Sequence, residues 1–384
     1  MLTTPPFRPH HRGTRGAIHG GVSGRRGRAG NHGADAPPDA VSRPPQRVHT
    51  VPPHPAAILF LATPLLGGCT GAQSWLTPIG PNARDTFVLF ELTLWVSAFV
   101  CLLVGAALFH AWLLPRWRGG DTYGRLLVAG GGVALPAAVL PVMLIASLSI
   151  PWPFAEEREG AFTVDVVAWQ FWWEVRYPSP EPGGPPVVSA NEVRIPVGVP
   201  VRFRLSTQDV IHSFWIPKLG GKVDMIPGRV NYALLRADVP GEFRGACFEF
   251  CGLQHANMAF TVHAMPQADW ERWLRRQAGP AAEPATEEAR HGHRVFIASG
   301  CGSCHVVRGH GATGGQAPGN VAPDLTHLAS RPTIGAGLLP NTRASLAGWT
   351  AATQQIKPGA NMPSFNQLSG PDLRALSAYL EGLR

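Results

Sequence analysis

A chain of 384 residues exceeds one typical domain, so two or three units are expected. Pro and Gly are frequent, charged residues are sparse, and the formal net charge of +8 invites a nucleic-acid reading. Its distribution argues against that: residues 1–50 hold eight Arg against Asp35 and Asp39, leaving only +2 for all the rest. Residues 1–55 are rich in Arg, Gly and Pro, lack apolar periodicity and cannot bury a core, so disorder is expected there. A basic interaction tail, or a start codon placed upstream of the true one, are the alternative readings.

Residues 56–66, AAILFLATPLL, form an apolar run of signal-peptide length, too short to span a bilayer. They lead through Leu66-Gly67-Gly68 to Cys69. Small residues before a Cys, just after such a run, resemble a bacterial lipobox, so 56–69 reads as an h-region ending at a lipidation site on Cys69. The long polar stretch ahead of it departs from a normal signal peptide; an unprocessed loop cysteine is the alternative.

Two longer apolar runs follow. Residues 87–114 carry only Glu91 and His110 as chargeable groups, and 126–150 carry none. Each exceeds the roughly 20 residues needed to cross the hydrocarbon core, which predicts a transmembrane hairpin over 85–151. The connecting loop holds Arg116, Arg118 and Arg125 against Asp121, and the positive-inside rule puts it in the cytoplasm. The N-terminus and everything after residue 150 then lie on the outer side of a bacterial plasma membrane. Glu91 and His110 read as snorkelling groups, with a proton-path role left open for the acid. Cys101 reads as a small buried hydrophobe.

From about 160 to 277 the pattern changes to short strands. TVDVVAWQFWWEVRY, NEVRIPVGVPVRFRLS, RVNYALLRADV and AFTVHAM are separated by turns such as EPGGPP, PVGVP and VPGEF. The alternation of Val193, Ile195, Val197 and of Val201, Phe203, Leu205 predicts an antiparallel sandwich or barrel. The chemistry sits at its C-terminal end, in C247-F-E249-F-C251-G-L-Q-H255-A-N-M258, with an earlier His in D209-V-I-H212-S-F-W. Two Cys, two His and a Met are the soft and imidazole ligands that copper prefers. A single blue-copper centre needs one Cys; a second thiolate on the same loop can bridge two copper ions. Each copper then takes one His, with Met258 and the Glu249 carbonyl as weak ligands. A disulfide is the alternative reading of the two cysteines.

These motifs, with DVIHSFWIPKLGGKVDMIPGR before them, resemble subunit II of cytochrome c oxidase and its copper A site. The resemblance spans about residues 75 to 275 and implies a cupredoxin-like copper A domain. Its implied ligands are His212, Cys247, Glu249 through its carbonyl, Cys251, His255 and Met258. It further implies that the Glu249 side chain reaches a magnesium ion at the interface with subunit I, a hard cation suited to a carboxylate. In the aromatic run where electrons are accepted, the position at which many relatives carry Trp is Phe171, with Trp169, Trp172 and Trp173 around it; core packing is the alternative role. The Glu that opens a proton channel in many relatives has no counterpart, since no acid lies between Tyr123 and Ile150.

Residues 278–289, AGPAAEPATEEA, read as a linker. Beyond it, C301-G-S-C304-H305 is the attachment signature of a c-type haem, with His305 binding the iron. A thioredoxin-like CxxC is the rival, though it has no need of the His. Met362 in N361-M-P-S-F is the only Met after Cys301 and is the candidate sixth ligand. A closing helix is predicted with Ser369 as N-cap, Pro371 in its first turn and Leu373, Leu376 and Leu380 on one face. Residues 290–384 resemble a class I cytochrome c. His293, His310 and His327 could compete as iron ligands, but each reads as a solvated surface residue.

The expected fold is thus a multidomain membrane protein: a two-helix transmembrane hairpin, an all-β cupredoxin-like sandwich and an all-α cytochrome c domain. The fused order resembles subunit II of caa-type cytochrome oxidases. It implies electron transfer from an external cytochrome or other donor, through haem c and dinuclear copper, to subunit I beside the other oxidase subunits, with oxygen reduction coupled to proton translocation. Two alternatives remain: the equivalent subunit of a nitric oxide reductase, and a non-enzymatic membrane copper/haem carrier. The pair of spans weighs against the carrier, and Cys247 with Cys251 weighs against the quinol-oxidase branch.

Overall fold

The computed structural model describes residues 71–113, 121–150, 161–313 and 322–384. The basic segment 1–55, the h-region and lipobox with Cys69, and the Arg116 and Arg118 portion of the connecting loop lie outside the described residues.

Helix α1, Pro81–Leu113, presents Leu92, Trp95, Phe99, Leu102, Leu108 and Trp112 to its surroundings. Its first turns pack on Trp75 and the β domain, but beyond them the helix is apolar on every side and largely exposed among the described residues, as suits lipid. Cys101, expected as a buried hydrophobe, is instead exposed on α1 among the described residues. The second long helix starts as α2, Asp121–Leu127, widens into a π-helical segment over Val128–Ala134 and resumes as α3, Leu135–Leu148. Gly130, Gly131 and Gly132 lie in the widened turns, where their backbone freedom permits the looser winding. Both helices are long and apolar enough to cross a membrane.

The β domain is two five-stranded sheets face to face. The strands are β1 Phe162–Trp169, β2 Trp172–Tyr177, β3 Val187–Ala190, β4 Glu192–Pro196 and β5 Val201–Thr207. They continue as β6 His212–Trp215, β7 Val223–Met225, β8 Asn231–Leu235, β9 Gly241–Cys247 and β10 Ala259–Met265. One sheet has the order β3-β2-β1-β5-β8 and the other β4-β10-β9-β6-β7. The sandwich is mixed rather than wholly antiparallel, because β1 pairs with β5 and β10 with β4 in parallel. The apolar run 163–177 is not one strand either. It folds back at Gln170–Phe171 so that Trp169 faces Trp172 across an antiparallel ladder. Alternating inward residues fill the space between the sheets, with Phe214 stacked on Phe260 at 5.0 Å between ring centroids. Helix α4, Gln267–Ala278, closes one side: Trp273 meets Tyr177 edge-on at 5.0 Å, and Trp270 Nε1 donates to the Arg194 carbonyl.

Residues 279–286 run without helix or strand but are pinned. Ala281 N–H donates to the Arg308 carbonyl, and Ala282 N–H to that of Arg384. The C-terminal domain is built on α5 Glu287–Ala298, α6 Arg343–Ile356 and α7 Gly370–Glu381. Thr286 caps α5 by accepting from Ala289 N–H, and Ser369 caps α7 by accepting from Asp372 N–H. Helices α5 and α7 approach closely at Gly292, where a Cβ would lie 1.9 Å from the Ala375 carbonyl oxygen. Leu376 and Leu380 are buried and Leu373 is half-buried. His310 and His327 are not on the surface: both are buried, with Nδ1 of His310 2.9 Å from the Tyr379 hydroxyl and Nε2 of His327 3.1 Å from the Gly279 carbonyl. Partners distant in sequence make this burial tolerable.

Candidate metal centre and haem site

Strand β9 ends at Cys247, and the chain turns through Glu249, Cys251 and a short 3-10 turn at His255–Asn257 before β10 begins at Ala259. This one loop collects most of the predicted ligands, and β6, the neighbour of β9, delivers His212 to it. The Sγ atoms of Cys247 and Cys251 are 3.9 Å apart. His212 Nδ1 is 3.7 Å from the Cys247 sulfur, and His255 Nδ1 is 3.7 Å from the Cys251 sulfur. Met258 Sδ lies 3.9 Å from Cys251 Sγ, and the Glu249 carbonyl oxygen 3.2 Å from Cys247 Sγ. Each candidate ligand atom therefore faces one of two sulfurs, and the ligand atoms of His212, Cys247 and Cys251 all fall within 4.8 Å of one another. The cysteines are free thiols rather than a disulfide.

The electrostatics suit a cation. The hydrogen bond between the two sulfurs favours one thiolate, holding Cys247 well below the ordinary thiol range against its burial and pushing Cys251 up. Burial alone would lower His212, but its contacts with Asp209 and Cys247 outweigh it and raise the imidazole above its ordinary value. The site thus carries negative charge on a buried sulfur, next to imidazoles and a thioether. That donor set fits two soft-ligated copper ions.

Behind the ligands stands a supporting layer that sequence reasoning did not single out. Asp209 Oδ1 is 2.8 Å from His212 Nε2, leaving Nδ1 to face the sulfur. The same carboxylate accepts from the backbone N–H groups of Gln170 and Val210. Gln170 Nε2 in turn donates to the Cys251 carbonyl at 2.6 Å. Gly252 has φ +123°, and a Cβ there would meet Gln170 Nε2 at 3.0 Å and the Phe171 ring at 3.3 Å, so only glycine suits this corner. The spacing of Asp209, three residues before His212, was the available signal.

The four aromatic residues of the predicted electron-accepting run separate into different environments. Trp169 and Trp172 stack at 5.8 Å and 7°. Trp173 is buried in the core beside His212, with ring centroids 6.4 Å apart. Phe171 is buried, and its carbonyl accepts from Lys357 of the C-terminal domain. The Glu249 carboxylate accepts from Lys222, which also pairs with Asp224.

In the C-terminal domain, α5 ends at Gly300 in a left-handed turn, and one 3-10 turn at Cys301–Ser303 presents Cys301, Cys304 and His305 in sequence. His305 Nδ1 donates to the Pro323 carbonyl at 2.7 Å. That bond puts the imidazole lone pair on Nε2, and burial lowers the pKa, which favours the neutral ring that a metal ligand needs. Both thiols are free. The donor set fits a covalently attached haem. Met362 sits in the loop between α6 and α7, its Sδ accepting from Trp349 Nε1 at 3.2 Å.

Residues 186–265 match the family described as cytochrome c oxidase subunit II, periplasmic domain, and residues 289–384 match the cytochrome c family. Cytochrome c oxidase subunit 2 of Alkalihalophilus pseudofirmus is 33% identical over 342 residues, covering 85% of this chain and 96% of that protein. The Bacillus subtilis protein of the same name is 28% identical over 353 residues, again covering 85% of this chain and 96% of its own length. The solved periplasmic domain of subunit II of cytochrome oxidase from Bradyrhizobium japonicum shares 28% identity, covers 32% of this chain and 95% of its own, and gives a TM-score of 0.29. With a third of its residues shared along nearly the full length of such a relative, this chain belongs to the cytochrome c oxidase subunit 2 family and carries a cytochrome c domain at its C-terminal end.

Proposed function

We propose that this chain is the electron-receiving subunit of a haem–copper oxygen reductase. It takes electrons from an external donor at residues 290–384 and hands them from the β domain to subunit I, where oxygen is reduced and protons are moved. The observation that carries this reading is the pair of sulfurs 3.9 Å apart, each faced by an imidazole nitrogen at 3.7 Å. When bound, a dinuclear copper centre and a c-type haem supply the one-electron chemistry that no side chain here provides.

The chain's own part is to hold and orient. Cys247, Cys251, His212 and His255 would hold the copper, with Met258 and the Glu249 carbonyl as weaker donors. Cys301 and Cys304 would anchor the haem, and His305 and Met362 would hold its iron. The β sandwich restrains the candidate ligands, with the loop held between β9 and β10 and His212 delivered from β6. Phe171 and Trp173 are both buried in the core, and Phe171 is the one whose backbone carbonyl meets the C-terminal domain, so it is our candidate for electron entry. Glu249 and Asp224 share Lys222, and a magnesium ion at the subunit I interface would displace that lysine from them. We further propose that both cofactor domains lie outside the bacterial plasma membrane, as thioether attachment of haem requires, and that Cys69 is lipidated there.

Electron paramagnetic resonance of the copper-loaded full chain tests the reading. The expected spectrum shows hyperfine structure from one electron shared by two equivalent coppers. The signal of a single isolated copper would remove the bridging role of the two cysteines, and with it the oxidase assignment of this site.

A further inference from the structure

The two cofactor-bearing parts of the chain are joined by more than residues 279–286. Lys357, just past the end of α6, is 2% exposed. Its Nζ donates to three backbone carbonyls, those of Phe171 at 2.9 Å, Asn257 at 2.8 Å and Gly335 at 2.8 Å. The first two belong to the β domain and the third to the C-terminal domain. An ammonium has three N–H donors, so all three are used. Among the described residues no carboxylate pairs with it, and burial by itself pushes its pKa down from the ordinary lysine value, while the three carbonyl bonds favour the charged form. An unpaired buried charge is costly unless fixed dipoles replace its hydration. Three carbonyls from three separate segments, converging on one nitrogen, are such a replacement.

The same seam carries other bonds. Gln254 Nε2 donates to the Pro358 carbonyl at 2.9 Å, and Ala259 N–H to the Ala336 carbonyl at 3.0 Å. Ala336 has φ +65° between Gly335 and Gly337, which are also left-handed. A non-glycine residue stays in that region only where its surroundings insist on it. The seam also lies between the two sites. The Asn257 carbonyl belongs to the peptide that leads into Met258, and Lys357 opens the run Lys357-Pro-Gly-Ala-Asn-Met362. One hydrogen bond thus completes a continuous bonded route from Met362 to Met258.

We propose that Lys357 is a positioning residue for electron transfer: its ammonium locks the loop bearing Met362 onto the loop bearing Met258, holding the C-terminal domain at one docked geometry. Electron tunnelling falls off exponentially with separation, so a fixed approach sets a single rate where a swinging domain would give a spread. This role rests on Met362 and Met258 being cofactor ligands as proposed above; the docking itself does not.

The test is Lys357→Met in the full chain assembled in its oxidase, read by hydrogen exchange and by flash-initiated transfer from haem to copper. Ala259 N–H is protected through its bond to Ala336 across the seam. Its exchange is expected to accelerate by about tenfold or more. Transfer is expected to slow and become dependent on solvent viscosity, with the haem spectrum and potential unchanged. Unchanged Ala259 exchange in a normally absorbing protein would overturn the lock. Faster exchange with unaltered transfer would overturn the positioning role. Should Lys357→Met fail to fold, Gln254→Leu is expected to give a smaller acceleration at the same amide, and none there would equally overturn the proposal. Failure of the copper reading shows separately, in the resonance spectrum of the unsubstituted chain.

Discussion

Asp209 holds His212 from behind: its Oδ1 lies 2.8 Å from Nε2, while Nδ1 of the same ring faces the Cys247 sulfur at 3.7 Å. Carboxylates placed this way fix both the tautomer and the angle of a ligating imidazole. In Asp209→Ala the backbone N–H groups of Gln170 and Val210 also lose their acceptor. Copper affinity is expected to fall by about 10- to 100-fold, measured by competition with a chelator. Unchanged affinity would mean that packing alone orients the ring.

Cys251→Ser removes the sulfur that faces His255, Met258 and Cys247. Copper content is expected to drop and the two-copper resonance to vanish. The haem should still be reduced by an external donor, while oxygen consumption stops. A variant that keeps full copper content and turnover would sink the proposed bridge.

Met362→Ala takes away the candidate sixth ligand while leaving His305 on its Pro323 hydrogen bond. Loss of a thioether ligand lowers the potential of a His/Met haem. A redox titration should show that fall, with new binding of small exogenous ligands at the iron. An unchanged midpoint would remove Met362 from the iron.

Gly292→Ala tests the helix crossing of the C-terminal domain. The added Cβ would sit 1.9 Å from the Ala375 carbonyl oxygen, so α5 and α7 must move apart. Overpacking of this kind costs about 1–3 kcal/mol. A lower denaturant midpoint, followed by haem absorbance, is expected, with copper content unaffected.

The candidate ligand loop is legible in the sequence because Cys247, Glu249, Cys251, His255 and Met258 are close along the chain, and local spacing alone brings them together. The hairpin at Gln170–Phe171 is not. The run from Thr163 to Tyr177 contains neither Gly nor Pro, and the turn is held instead by Asp209 and by the Cys251 carbonyl, 39 and 81 residues away. The parallel pairing of β1 with β5 is invisible for the same reason: composition records which strands exist, not which lie side by side. His310 looked solvent-exposed because its partner, Tyr379, comes from the far end of the domain. Lys357 drew no notice, since a lone lysine before Pro-Gly resembles any surface turn, and its three carbonyl partners come from three segments.

The bond from Ala282 N–H to the Arg384 carbonyl brings the segment leading into the cytochrome c domain against the residue at which the cytochrome c match ends. A unit whose two ends meet is a closed cassette. It can be grafted onto a host protein through a single junction, without threading through it or parting its strands. An electron carrier that would otherwise have to diffuse to its oxidase can in this way become a permanent, one-to-one companion of the subunit it serves.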